Sequence, residues 1–363
     1  MNRNFFYFLF FITTVIACNT SGKKNEEYLP KSTGKPGDIL LIMDSSQWHG
    51  TLGEEVRKVF EAEVPGLPRE EPMFNVIWVH PSKGLKLLTQ IRNLVYIFTL
   101  DQKSKGTRTL TQQFTPETLA RIKSDTSFYF STSKNEFSRG QEVMYLFSDR
   151  EENLIHHLKK NSQKIIDYFN LIEKKRVEQA LLGTKTTKGV TYFLRKEQQC
   201  DIRVPIGYRL AQKENDFVWL RNIEANSDRD VFISWKPYES EYQLLPDSLV
   251  AWRNAVAKKY LYEDPENPIS YLVTETSIPW NPVRAKQLNF NNHFAMELRG
   301  LWKTNNHTMG GPFVSYAIID QPRNLVYYIE GFAYSPSKDQ REIMRELETI
   351  LWTFRLSDDI QKK

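Results

Sequence analysis

The chain has 363 residues, of which 40% are hydrophobic and 13% aromatic, and its formal net charge is +5. This composition excludes an intrinsically disordered chain, and the length is sufficient for two folded domains.

The first 17 residues are typical of a secretory signal peptide. One positive charge, at Arg3, precedes an apolar run of 13 residues from Phe5 to Ala17. A helix of this length spans only about 20 Å, which is too short for a hydrocarbon core of about 30 Å. We therefore predict that residues 1–17 are a signal peptide and are removed from the mature protein.

The apolar run ends in Val15-Ile16-Ala17-Cys18, which resembles the lipobox of bacterial lipoproteins. In that family the cysteine thiol receives a diacylglycerol and becomes the first mature residue, so the resemblance implies a membrane anchor at Cys18. An ordinary signal peptide with an incidental cysteine is the alternative. If Cys18 carries lipid, Cys200 is the only other cysteine, which excludes an intramolecular disulfide and a metal site made of thiolates.

Residues 18–37 are polar and contain several Gly and Pro, so they are predicted to form a flexible tether. Asn19, rather than Asp, follows the predicted lipid site. By resemblance to well-studied lipoproteins, this favours transport to the outer membrane. Whether the protein faces the periplasm or the cell surface stays open.

Residues 38–183 are predicted to form a mixed α/β domain. Short apolar runs are typical of strands covered on both faces. They lie at 38–43, 74–79, 93–100 and 142–148. Amphipathic patterns indicate one helix that begins at Thr51 and two more over 82–91 and 115–123. The longest pattern predicts a helix over 150–182, and the domain boundary is placed at Gly183.

The long helix is the most basic part of the chain. Segment 150–190 has nine Lys or Arg residues and five carboxylates, a net charge of +4. Because the polyanions of an envelope are lipid phosphates, Lys159, Lys160 and Lys164 are candidate contacts to an anionic surface. A solvated helix face is the alternative. No nucleic-acid partner is predicted, because the protein would lie outside the cytosol.

Residues 184–357 are predicted to form an α+β domain, an antiparallel sheet with covering helices. Short aromatic runs separated by Pro, Gly or Asn are typical of such sheets. The runs are TYFLR, DIRVP, FVWLRN, VFISWKP, HFAMELRGLW, FVSYAIID and LVYYIEGFAY. Helices are predicted over 247–261 and 337–354. No internal repeat of fixed period is present.

The loop after the first predicted strand is a candidate ligand site, because ligands bind at the carboxyl ends of strands in open α/β sheets. Its candidate residues are Asp44, Ser45, Trp48 and His49. Three of them are triad residue types, but members on one short turn rarely reach the geometry of a triad. Satisfaction of the turn's own backbone groups is the alternative role.

Alternation in HFAMELRGLW places Glu297 and Arg299 on one face of a strand. They are candidate ligand-binding residues, with a salt bridge as the alternative. None of the six histidines has the spacing of a zinc site, so neither a metal nor a cofactor is predicted.

The segments ELRGLW, MGGPFVSYAIID and EGFAYSPSKDQREIMRELETIL resemble an uncharacterised lipoprotein family of the Bacteroidetes, a domain of unknown function. The C-terminal half is similar in layout to PsbP/Mog1-like modules, which bind partners. We predict a lipoprotein anchored in the outer membrane that acts as a non-catalytic binding or assembly component of the cell envelope. The alternatives are an envelope hydrolase that uses residues 44–49 and a module that binds glycan or lipid.

Overall fold

The computed structural model describes residues 28–83, 88–183, 186–197, 200–264 and 267–361. The predicted signal peptide and Cys18 lie outside these ranges. Within them, no helix is both long enough and apolar enough to cross a membrane.

The first domain is built on a mixed sheet. Its strands are β1 (Asp38–Met43), β2 (Asn75–Val79), β3 (Asn93–Thr99), β4 (Phe130–Lys134) and β5 (Glu142–Ser148). Their order is β2-β1-β3-β5-β4, with β4 antiparallel at one edge and the others parallel. β1 and β3 are buried along their whole length, which fits the prediction of strands covered on both faces.

Helices cover this sheet. They are α1 (Ser45–Trp48), α2 (Thr51–Phe60), α3 (Lys105–Thr111), α4 (Pro116–Ser124) and α5 (Glu151–Leu182). The strands and helices predicted for this domain are present except for the helix over 82–91. In the described part of that segment, only a 3-10 turn at Leu88–Gln90 is helical.

The folded body begins before the predicted end of the tether. Lys31 and Thr33 form single bridges with Arg139 and Ile91, just ahead of β5 and β3. The Arg139 N–H also donates to the Pro30 carbonyl at 2.7 Å. These contacts use backbone groups, so the polar composition of residues 18–37 gave no sign of them.

The second domain contains an antiparallel sheet and a small additional strand pair. Its strands are β6 (Cys200–Asp201), β7 (Arg209–Glu214), β8 (Phe217–Glu224), β9 (Ser227–Pro237), β10 (Tyr262–Asp264), β11 (Asn267–Glu275), β12 (Arg284–Phe290), β13 (His293–Thr304), β14 (Gly310–Asp320), β15 (Leu325–Tyr334) and β16 (Arg355–Leu356). Among the described residues, the large sheet has the order β10-β11-β13-β14-β15-β9-β8-β7, and β12 also pairs with β13. β6 pairs with β16.

Helices lie on both faces of the large sheet. They are α6 (Lys188–Glu197), α7 (Pro246–Tyr260), α8 (Arg341–Leu351) and α9 (Ser357–Gln361). α8 packs against β9, β14 and β15, whereas α7 packs against β11. A mixed α/β domain followed by an antiparallel sheet with covering helices confirms the predicted fold class.

Two predicted strands of the second domain are wrong. TYFLR lies in α6, where Val190 and Leu194 are buried at helical i,i+4 spacing. DIRVP contributes only Asp201 to a strand. Cys200 beside it is fully buried, and burial raises the pKa of its thiol.

The two domains meet where α5 packs against α8. The Glu71 carboxylate of the first domain accepts hydrogen bonds from the backbone N–H groups of Gln340 at 2.7 Å and Arg341 at 2.8 Å. Glu71 therefore caps α8, whose own N-cap residue, Gln340, supplies no side-chain cap. In return, Arg341 donates to the Pro72 carbonyl at 2.6 Å, and Arg345 donates to Asn170 of α5 at 3.3 Å.

Replacement of Glu71 tests this inter-domain cap. Glu71→Ala removes both acceptors from a buried junction, so we expect the free energy of unfolding in urea to fall by about 2 kcal/mol. Glu70→Ala is the matched control, because Glu70 is exposed, and we expect it to change stability by less than about 0.5 kcal/mol. Equal stability of the two variants would contradict the cap.

Candidate functional site

A cleft of about 510 Å³ lies between the two domains, beside the contact of α5 with α8. Its apolar walls include Leu171 of α5, Leu288 of β12, Met344 of α8 and Trp352, which follows α8. Small-molecule sites commonly have this size and lie at domain interfaces. The cleft is therefore a candidate binding site.

Glu297 and Arg299, both predicted as ligand-binding residues, line this cleft. Arg299 binds Glu297 through two hydrogen bonds, Nε to Oε1 at 2.8 Å and Nη2 to Oε2 at 3.0 Å. The alternative prediction, a salt bridge between these two residues, is confirmed. The same Nη2 lies 3.0 Å from Oε1 of Glu348 on α8, so Arg299 joins the strand to the helix.

Glu348 lies at the centre of the polar network. Besides Arg299, its Oε1 accepts a hydrogen bond from the Tyr316 hydroxyl at 3.4 Å and lies 3.7 Å from Nζ of Lys174. Trp352 Nε1 donates to the Tyr316 hydroxyl at 3.1 Å, and the Lys174 Nζ lies 4.1 Å from the centre of the Trp352 ring. The network therefore joins α5 of the first domain to α8 and β14 of the second.

The pKa values of Lys174 and Glu348 are both lowered, but for different reasons. Burial is the largest influence on Lys174 and lowers its pKa to about 8, although Glu348 opposes the change. Burial by itself would raise the pKa of Glu348, but the charges of Arg299 and Lys174 outweigh it and lower that pKa to about 2. The pKa of the Arg299 guanidinium is raised, because Glu348 and Glu297 outweigh its burial.

The cleft offers a ligand both charged groups and apolar walls. A carboxylate with a pKa near 2 is a weak general base at neutral pH. Among the described residues that line the cleft, none is a Ser, Thr, Cys or His. Lys174 instead offers a cation beside apolar walls, which can recognise an acidic group.

A second cavity of about 770 Å³ adjoins the cleft. Leu171, Lys174 and Trp352 line both cavities. The second cavity extends between α5 and the end of the second domain, where Arg355 lies in its wall.

The predicted residues of the 44–49 loop do not converge on one site. Asp44 is the N-cap of α1, and its side chain accepts a hydrogen bond from the Ser46 N–H at 3.0 Å. Trp48 stacks on Trp78, with ring centres 5.7 Å apart. The His49 ring is edge-to-face with the same Trp78 ring, with ring centres 5.6 Å apart. Ser45 begins α1. The proposed capping role of this turn fits these contacts, and a triad of Asp44, Ser45 and His49 does not.

The actual partners of Asp44 come from later loops. Oδ2 accepts a hydrogen bond from the Ser104 hydroxyl at 2.6 Å and lies 3.5 Å from His80 Nε2. Burial would raise the pKa of Asp44, but hydrogen bonds from Ser104 and Ser46 lower it overall. Sequence reasoning missed His80 and Ser104, although both follow predicted strands of the parallel sheet.

Lys159, Lys160 and Lys164 are exposed on the first half of α5 and do not line the cleft. A local break in helical geometry at Asn161 lies among them. Their exposure is what contact with an anionic surface would require. No group of three or more His, Cys, Asp or Glu residues in the described ranges could hold a metal ion.

The sequence did not reveal Lys174, Tyr316, Glu348 or Trp352 as site residues. They come from α5, β14 and the α8 region, so their proximity depends on how the domains dock. The pair Glu297 and Arg299 was the part of the site that the sequence did indicate, and Arg299 contacts Glu348 of α8.

The low pKa of Glu348 gives a pH-dependent test. Its ordinary pKa is 4.5 and its value in the fold is about 2, so its ionised form stabilises the fold above about pH 4.5. This contribution is lost as the pH falls toward 2. We expect Glu348→Gln to reduce the free energy of unfolding by about 1–3 kcal/mol at pH 7. The difference in free energy of unfolding between Glu348→Gln and the parent should become smaller below pH 4.5.

Urea titrations at several pH values measure this difference. Glu70→Gln, at an exposed loop position, is the control, and its free energy of unfolding should stay close to that of the parent at every pH. If Glu348→Gln lowers the free energy of unfolding by the same amount at pH 7 and at pH 2, the low pKa of Glu348 is contradicted.

Comparison with known domains divides the chain into two matched parts. Residues 32–181 match the family model described as Domain of unknown function (DUF8532). Residues 188–353 match the family model described as Domain of unknown function (DUF4837). No curated protein matches the sequence. The first matched part ends at residue 181 and the second begins at residue 188, so the predicted boundary at Gly183 lies between them.

Solved structures resemble parts of the fold at a low level. The Ran-binding protein Mog1p of Saccharomyces cerevisiae is 7% identical, with 45% of this chain and 92% of that chain covered and a TM-score of 0.28. Cyanobacterial PsbP from Synechocystis is 10% identical, with 44% and 88% covered and a TM-score of 0.28. The chain thus joins two domains of unknown function and has a weak structural similarity to Mog1 and PsbP.

Proposed function

We propose that this protein is a lipid-anchored, non-catalytic binding component of the bacterial cell envelope, and that its ligand occupies the cleft between the domains. The observation that carries the proposal is the construction of the cleft. Both domains supply its walls, and a network from Lys174 to Arg299 fixes polar groups within an apolar cavity. Binding sites combine these features.

The proposed anchor rests on the sequence Val15-Ile16-Ala17-Cys18 and on the polar residues that follow it.

Labelling with a clickable fatty acid tests the anchor. We expect the parent protein to incorporate label and to sediment with outer membranes, because acylation of Cys18 would hold it there. Cys18→Ala should lose both properties. Cys200→Ala is the matched control and should retain them, because the Cys200 side chain is buried in the core. Equal labelling of all three proteins, or no labelling of any, would contradict lipidation at Cys18.

Site-specific photocrosslinking in cells tests the cleft. A benzophenone side chain at Leu288, which lines the cleft, should give a reproducible adduct with a ligand or envelope partner. The same group at Leu210, exposed on edge strand β7, is the control and should not give that adduct. If Leu288 yields no adduct beyond that of Leu210, the cleft is not the binding site.

A further inference from the structure

We propose that the cleft and the adjoining cavity form one groove that binds a single-chain amphiphile with an acidic headgroup. The chain would lie in the cleft, and the headgroup would lie beside Lys174 and Arg355 in the second cavity. This inference rests on the proposed function and names its ligand class.

The two cavities have a common wall. Leu171, Lys174 and Trp352 line both of them. A ligand that extends past these three side chains would place one end in each cavity, so the shape favours an elongated molecule.

The cleft provides the apolar part of the groove. Leu288 and Met344 face it from β12 and α8, and Leu171 faces it from α5. Leu171 is 52% exposed even though it lies beside two other apolar walls. A hydrocarbon chain in the cleft would cover this exposed surface, and the flexible Met344 side chain can adapt to its shape.

The second cavity, the polar part of the groove, has an excess of positive charge. Its lining includes five cationic side chains, namely Lys174, Lys175, Arg195, Arg203 and Arg355. It includes three carboxylates, namely Glu178, Asp201 and Asp359. The difference of two positive charges favours an anionic headgroup.

The carboxylates near the headgroup position already have partners. Asp201 pairs with Arg195 at 2.6 Å, and Asp359 lies 2.9 Å from His293 Nε2. Glu348 is closer to Arg299, at 3.0 Å, than to Lys174, at 3.7 Å. Lys174 therefore shares its carboxylate with a closer cation and can accept an additional anion.

Arg355 is the second cation of the proposed headgroup site. In the described residues its Nη1 donates to the backbone carbonyls of Trp352 at 3.0 Å and Phe354 at 2.8 Å. No carboxylate pairs with it there. These carbonyl contacts hold the guanidinium in the cavity wall, and its remaining N–H groups can bind a carboxylate or a phosphate.

Calorimetric titration of the purified protein with defined amphiphiles tests the inference. Dodecanoate and dodecyl phosphate, each below its micellar concentration, distinguish a fatty acid from a phospholipid-type headgroup. We expect saturable binding of one molecule per protein for at least one of them. Dodecyl maltoside, which has the chain without the charge, and inorganic phosphate and acetate, which have the charge without the chain, should bind at least about tenfold more weakly.

Lys174→Met should weaken binding of the acidic amphiphile by about tenfold or more. Lys174→Arg keeps the positive charge and should restore most of the affinity, which separates loss of charge from loss of folding. Lys123→Met, at an exposed position of α4 outside both cavities, is the matched control and should leave affinity within about twofold.

Equal binding of dodecyl maltoside and the acidic amphiphiles, or unchanged affinity in Lys174→Met, would overturn the inference. Failure of every amphiphile together with a specific adduct at Leu288 would reject the ligand class and leave the proposed binding function standing. Failure of every amphiphile and of crosslinking would reject both.

Discussion

The position of the second domain on the first depends on a carboxylate that caps a helix across the domain boundary. Glu71 accepts hydrogen bonds from the backbone N–H groups of Gln340 and Arg341, the N-cap and the first residue of α8. These N–H groups have no partner within the helix and would be costly to bury without one. Because their acceptor belongs to the first domain, the first turn of α8 is satisfied across the domain junction.

The cleft follows from this docking. Arg341 and Arg345 extend from α8 to the backbone of Pro72 and the side chain of Asn170, so the helix is held along its length. Glu348 and Trp352 then lie on the side of α8 that faces α5, within reach of Lys174. Phe290 stacks on Trp352 with ring centres 4.6 Å apart and supports this wall from β12. The site therefore has its shape before any ligand arrives, which reduces the entropic cost of binding.

Local sequence patterns predicted the elements better than they predicted the contacts between them. The buried strands of the first domain were recognisable because apolar runs with both faces covered leave a continuous signal. The strand prediction for TYFLR was wrong because a short aromatic run fits either a strand or one side of a helix. In the structure it is helical, with Val190 and Leu194 buried on one side of the helix. Lys31 and Thr33 join the fold through backbone bridges, which side-chain composition does not record.

The candidate site was predicted only in part for the same reason. Glu297 and Arg299 are two residues apart on one strand, so alternation alone placed them together. Lys174 and Glu348 are far apart in sequence and meet only through the α5–α8 contact, which no pattern within either helix specifies. The 44–49 loop shows the opposite case, in which reactive residue types lie close in sequence but Asp44 and His49 turn toward different neighbours.

The distance between spin labels on the two domains tests most directly whether α8 holds them in one arrangement. Labels at Lys164 on α5 and Gln287 on β12, both exposed positions, can be introduced through cysteines in a Cys18→Ala background, since the remaining Cys200 is fully buried. A docked junction predicts a single narrow distance distribution by pulsed electron paramagnetic resonance, and Glu71→Ala should broaden it. A broad or bimodal distribution in the parent protein would contradict a pre-formed cleft.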